Sequence, residues 1–85
     1  MTDYVDLYRR RLMNADDLLA RRAEMIRARD DIQGIVDEAQ EMAFRHFLAD
    51  EILLGCRARD RAKQSSRSLA RAEAEIRALD ELIIL

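Results

Sequence analysis

A chain with no proline, and with glycine only at positions 34 and 55, has few means of turning sharply. Proline presets the first corner of a turn, and glycine supplies positive φ. Sandwiches, barrels and doubly wound sheets need several such corners, so 85 residues with two glycines effectively exclude them. The apolar content of 49% is too high for a disordered chain. One all-α domain, residues 1–85, remains. A chain of this length buries only about 60–65% of the surface that its unfolded form exposes, and chains in this range often gain core by association.

Helical periodicity predicts three segments. Over about residues 3–30, Val5, Tyr8, Leu12, Ala15, Leu19 and Ile26 recur three or four apart, or at multiples of that spacing, on one face. Leu18, Met25 and Ile32 lie beside that stripe, and Thr2 or Asp3 stands where a cap is needed. Gly34 is placed to end this helix in the left-handed conformation, and Asp37, Glu38, Ala39 and Gln40 look like a capping-box variant opening the next. Asp30 and Asp31 argue the other way, since carboxylates are unfavourable at a helix C-terminus; they fit better as caps that move the turn upstream.

The second helix, about residues 37–62, is apolar on most sides between Met42 and Cys56. Ile35, Ala39, Met42, Ala49, Leu53 and Cys56 form one stripe, Val36, Ala43, Phe47 and Leu54 a second, and Phe44, Leu48 and Ile52 a third. A helix with one neighbour needs one buried face, so this segment is expected to touch elements on two sides. In the third helix, about residues 67–85, Leu69, Ala72, Ile76, Leu79 and Ile83 make a coiled-coil-like seam that Ala62 and Ser65 extend backwards. The polar segment 63–68 fits either a turn or a continuous helix from about 37 to 85. The continuous form would span roughly 70 Å and overhang the first helix.

The net charge of -2 is a sum of blocks. Residues 1–29 carry +2, residues 30–51 carry -6, residues 57–71 carry +5 and residues 72–85 carry -3. A turn near Gly34 would lay Arg21, Arg22, Arg27 and Arg29 along the acids of the second helix. The +5 block would then meet the -6 block of another copy, the kind of complementarity that sets orientation. The opposing view is a solvated surface whose exposed pairs contribute about 0–1 kcal/mol each.

Little in the sequence supports chemistry. His46 and Cys56 stand ten residues apart, about 15 Å along one helix, too far for a nucleophile pair. His46 has Asp50 one turn on as a partner and is expected to be partly buried or interfacial. One histidine and one cysteine do not make a zinc set, and a phosphate-cradling glycine loop is missing. No metal or cofactor is expected. A lone cysteine fits a reducing compartment, and the first residues lack the basic start and apolar run of a signal peptide. The expected location is the cytoplasm or a particle assembled inside the cell, without membrane insertion.

These features predict an all-α protein, a long antiparallel helical hairpin or a three-helix arrangement, that forms oligomers. Its expected role is structural, assembly or adaptor work through helix–helix contacts, with itself or another protein as partner, as in a phage particle or a secretion assembly. The candidate interface is Phe44, Phe47, Leu48, Ile52, Leu69, Ile76, Leu79, Leu82, Ile83, Ile84 and Leu85. The last four either dock on a partner or close against Tyr4, Val5 and Tyr8. The alternative is a small nucleic-acid-binding regulator whose phosphate contacts are Arg57, Arg59, Arg61, Lys63, Arg67 and Arg71. Asp60 interrupts that strip, and no aromatics are interleaved for base stacking. A small helical enzyme ranks third.

Overall fold

The computed structural model describes residues 3–11 and 14–84. Among them are three α-helices and no strand: α1, Tyr4–Arg10; α2, Ala15–Leu48; and α3, Ile52–Ile84. The two long helices form an antiparallel hairpin, and α1 packs on α3 at its open end. The molecule measures 53 × 22 × 15 Å.

The first two helices begin on side-chain caps. Asp3 accepts from the Asp6 amide at 3.1 Å, and Asn14 accepts from the Asp17 amide at 2.8 Å. Asn14 followed by Asp16 and Asp17 is a complete start signal, because the carboxylates favour the positive end of the helix dipole. The single helix expected over 3–30 is therefore two helices. The interruption also changes which face is buried: Leu18 is buried while its neighbour Leu19 is exposed, although Leu19 belongs to the stripe that continues from Val5. The Leu12 of that stripe, and Thr2 as a cap, lie outside the described residues.

The expected turn near Gly34 does not form. Gly34 lies within α2, and nothing approaches within 4 Å of the position a Cβ would take. The reversal comes instead at Ala49, Asp50 and Glu51, so the second helix does not run from 37 to 62, nor is there one helix from 37 to 85. The charges explain the choice. Ending at Gly34 would place Asp30 and Asp31 against the negative pole of a helix, whereas ending at Leu48 places Arg45 and His46 there. Asp50 takes φ 59°, a conformation that aspartate tolerates better than most residues. The Glu51 amide donates to the His46 carbonyl at 2.8 Å and the Asp50 amide to the Phe47 carbonyl at 3.2 Å. This is a Schellman motif with aspartate in the usual glycine place.

The α3 helix runs unbroken through Ser65, Ser66 and Ser68, so residues 63–68 are not a turn and no separate helix begins near 67. The long helices have 34 and 33 residues. Their lengths match, and the overhang expected of a 70 Å helix is absent.

The core sits at the open end. Tyr8, Leu18 and Leu79 are its buried centre, with Tyr4, Met25, Leu82 and Ile83 packed around them. Leu79 has no exposed surface. Towards the turn, the seam is built from small side chains, with Val36, Ala39 and Ala43 of α2 and Gly55, Ala62 and Ala72 of α3 buried. Alanine and glycine let two helix backbones approach closely, but each buries little apolar area.

A continuous α2 makes a clear prediction. Glycine in a helix interior costs roughly 0.5–1 kcal/mol relative to alanine, so Gly34→Ala will raise stability by about that much in urea unfolding. A left-handed glycine at this position would instead make alanine destabilising. Asp50→Val will lower stability by about 1–2 kcal/mol, since a β-branched side chain opposes positive φ.

The closed end of the hairpin as a candidate interaction surface

The large apolar side chains near the turn point away from the seam. Phe44 is 64% exposed, Leu48 71% and Leu53 66%, and Met42, Ile52 and Leu54 are also exposed. Helix geometry accounts for this. Once Ala39 and Ala43 face α3, Phe44 and Leu48 project to one side and Met42 to the other. Covering such side chains stabilises by about 1.5–3 kcal/mol each. Phe47 behaves differently: it is half-buried, with its ring on Gly55. A Cβ at Gly55 would fall 2.6–2.9 Å from the Phe47 ring atoms, closer than atoms can sit, so glycine there makes room for the aromatic.

Two shallow grooves flank the seam. The larger, about 600 Å³, has Ala43 and Ala62 on its walls beside Phe44 and Phe47, with Gln40, Arg59, Lys63, Ser66 and Arg67 completing it. Arg59 is held over the Phe47 ring, 6.0 Å from its centre, and its Nη2 lies 3.8 Å from Cys56 Sγ. The smaller groove, about 230 Å³, is lined by Ala39, Met42, His46, Leu54, Arg57, Ala58 and Arg61. His46 Nδ1 stands 3.4 Å from Glu51 Oε1. Glu51 takes the place expected of Asp50, because the helix ends before Asp50.

The basic strip expected to contact nucleic acid is thereby divided. Arg59, Lys63 and Arg67 edge one groove, and Arg57 and Arg61 the other. Residues two apart on a helix point about 200° apart, so alternate basic positions cannot share one face. Arg71 lies beyond both linings.

The candidate interface residues separate into two groups. Phe44, Leu48 and Ile52 are exposed at the closed end, with Phe47 half-buried beside them. Ile76 and Leu79 are buried within the chain, and Leu82 and Ile83 pack on its own core. Ile76 and Leu79 fill the α3 seam of this chain, and Leu82 and Ile83 are half-buried beside it. Leu69 is half-buried, Ile84 is exposed and Leu85 lies outside the described residues. Met42, Leu53 and Leu54 belong with the exposed group. Their signal was the apolar surround of the Met42 to Cys56 segment, but assigning faces required knowing where the chain reverses.

A second cluster lies at the open end. Tyr8 donates its hydroxyl hydrogen to Glu75, which is buried. Arg21 Nε donates to the Tyr8 oxygen at 3.0 Å, and Arg21 Nη2 lies 3.0 Å from Glu75 Oε1. Arg21 also reaches Glu24 at 3.1 Å, and Arg22 pairs with Asp80. Arg21 and Arg22 therefore meet acids of residues 72–85, because the turn lies about sixteen residues later than expected, whereas Arg29 pairs with the adjacent Asp30. Burial, followed by the hydrogen bond to Glu75, raises the Tyr8 pKa above a phenol's ordinary value, and the Tyr8 hydrogen bond raises that of Arg21. No buried side-chain polar atom among the described residues lacks a partner. The cluster ties α1, α2 and α3 together.

Among the described residues, no group of three or more histidine, cysteine, aspartate or glutamate side chains is placed to hold a metal ion. No helix there is long and apolar enough to cross a membrane. No family model, curated protein or solved structure matches this chain.

The Tyr8 contacts predict how stability depends on pH. The phenol's folded pKa lies above its unfolded value near 10. Its contribution is therefore complete below about pH 10 and is lost as pH rises through the folded value. Denaturant titrations will show wild-type stability falling above about pH 10 more steeply than that of Tyr8→Phe. At neutral pH, Tyr8→Phe will cost about 1–2 kcal/mol for the lost hydrogen bonds.

Proposed function

We propose that this protein is a helix–helix interaction module that works in structural, assembly or adaptor roles, binding through the closed end of its hairpin. One observation carries the reading. Alanine and glycine occupy the buried seam there, while Phe44, Leu48, Ile52 and Leu53 stand exposed around it. A free-standing hairpin would gain stability by turning those side chains inward. A hairpin that places them outward presents exposed apolar side chains at one end, as binding surfaces do.

The open end supports the same division of labour. Its core is closed by Tyr8, Leu79, Leu82 and Ile83 and locked by the Tyr8, Arg21 and Glu75 cluster. It holds the fold while the other end remains available. The scaffold is rigid helix on both sides of the grooves, so a partner helix can dock without ordering a loop.

Photo-crosslinking in cells tests this reading. A crosslinking side chain at position 44 or 48 will give protein adducts, and one at the exposed Arg10 position will not. A Phe44→Glu and Leu48→Glu double variant will keep its helicity by circular dichroism, because both residues are exposed. That variant, carrying the crosslinker at position 52, will lose the adducts. Absence of adducts at both 44 and 48 would overturn the proposal.

A further inference from the structure

We infer that the occupant of the larger groove is a second copy of this chain, docked closed end beside closed end about a two-fold axis parallel to the hairpin. This rests on the reading of the closed end as a binding surface and names its partner.

Surface area gives the first argument. A compact monomer of 9.9 kDa exposes about 5,200 Å². This chain exposes 6312 Å², an excess of about 1,100 Å². The elongated shape, 53 × 22 × 15 Å, carries that excess, and a standard interface buries about 800 Å² per partner.

Charge gives the second, and it selects the orientation. On the Phe44 side of α2, Asp37 and Glu41 precede Phe44 by seven and three residues, so both lie on its stripe. Both are exposed. Across the groove, α3 presents Arg59, Lys63 and Arg67. The helices are antiparallel, and Gln40 and Phe44 line the same groove as these bases. The acids on α2 therefore stand at the level of the bases on α3. A two-fold axis along the hairpin lays α2 of each protomer on α3 of its partner at unchanged height. Asp37 then meets the partner's Lys63 and Glu41 the partner's Arg59, and the contact occurs twice. A two-fold axis across the hairpin would lay α2 on α2, acid on acid, and α3 on α3, base on base. In the favoured arrangement, Phe44 enters the groove floored by the partner's Ala62, and Leu48 and Ile52 are covered near the axis.

The larger groove is chosen over the smaller because it carries the most exposed aromatic side chain and three basic residues on its edge. Its alanine floor leaves space for an inserted ring, and Lys63 and Arg59 stand beside that space to meet the ring face.

A charge exchange tests partner and orientation together. Sedimentation velocity of the full chain at up to about 100 μM, well above a micromolar Kd, will show a dimer. Phe44→Glu will weaken it more than tenfold with helicity unchanged. One variant carries Asp37→Lys and Glu41→Lys, and another carries Arg59→Glu and Lys63→Glu. Each alone will be monomeric, because both of its symmetry-related contacts become like-charged. An equimolar mixture will form a heterodimer, because both contacts become opposite-charged. A monomeric wild-type chain at these concentrations overturns the inference. So do variants that dimerise as well as the wild type, since acid-on-acid packing predicts that result. Crosslinks from positions 44 and 48 to a different protein, with the purified chain monomeric, would leave the interaction-module reading standing and remove the second copy as its partner. Duplex DNA or RNA bound by the monomer, with affinity falling steeply with salt and lost in the Arg59→Glu, Lys63→Glu variant, would also overturn it.

Discussion

The close approach of α2 and α3 along alanine and glycine is the constraint on which the rest depends. Ala39, Ala43, Gly55 and Ala62 let the backbones come together near the turn. Because those positions take up the inward face, the large neighbours Phe44, Leu48, Ile52 and Leu53 have no inward place left. The same constraint shapes the grooves, since an alanine floor between two helices leaves a trough that larger side chains would fill. Only Phe47 is recruited inward, and it needs Gly55 to make room.

The hairpin is consequently asymmetric along its length. The open end buries Leu79 completely and adds a third helix and a buried polar cluster. Tyr8 brings the short α1 into that cluster, Arg21 joins it from α2 and Glu75 from α3. A seven-residue helix is too short to be stable alone, so its position is set by this docking. By contrast, the salt bridges Arg10 with Asp6 and Arg45 with Glu41 are exposed pairs within one helix, and pairs of that kind contribute only tenths of a kcal/mol.

Much of the local structure was legible. The apolar stripe of α3 faces inward, with Ala62, Ala72, Ile76 and Leu79 buried and Ser65, Leu69 and Ile83 half-buried. The turn does not lie near Gly34, although glycine most readily reverses the chain. Asp50 does so without it, and the signals that mark the place are electrostatic: Arg45 and His46 before it, Asp50 and Glu51 after. Asp30 and Asp31 weighed against a helix end at Gly34, but as caps they would have moved the turn upstream, whereas it lies downstream at Asp50. Asn14 with Asp16 and Asp17 was equally visible as a helix start, yet the apolar stripe carried past it.

Sequence alone determined that the chain is helical, that α3 carries an apolar seam and that acids and bases fall in blocks. These follow from turn chemistry, three-four spacing and charge, all of which are local properties of the chain. Which apolar residues are core and which are exposed was decided only by the tertiary structure. Ile76, Leu79, Leu82 and Ile83 look the same in the sequence as Phe44, Leu48 and Ile52, since both groups are apolar at helical spacing. The position of the reversal separates them, because it fixes which residues of α2 stand opposite which residues of α3. Moving that turn from Gly34 to Asp50 re-pairs every cross-helix contact, and no local signal in either helix records the pairing.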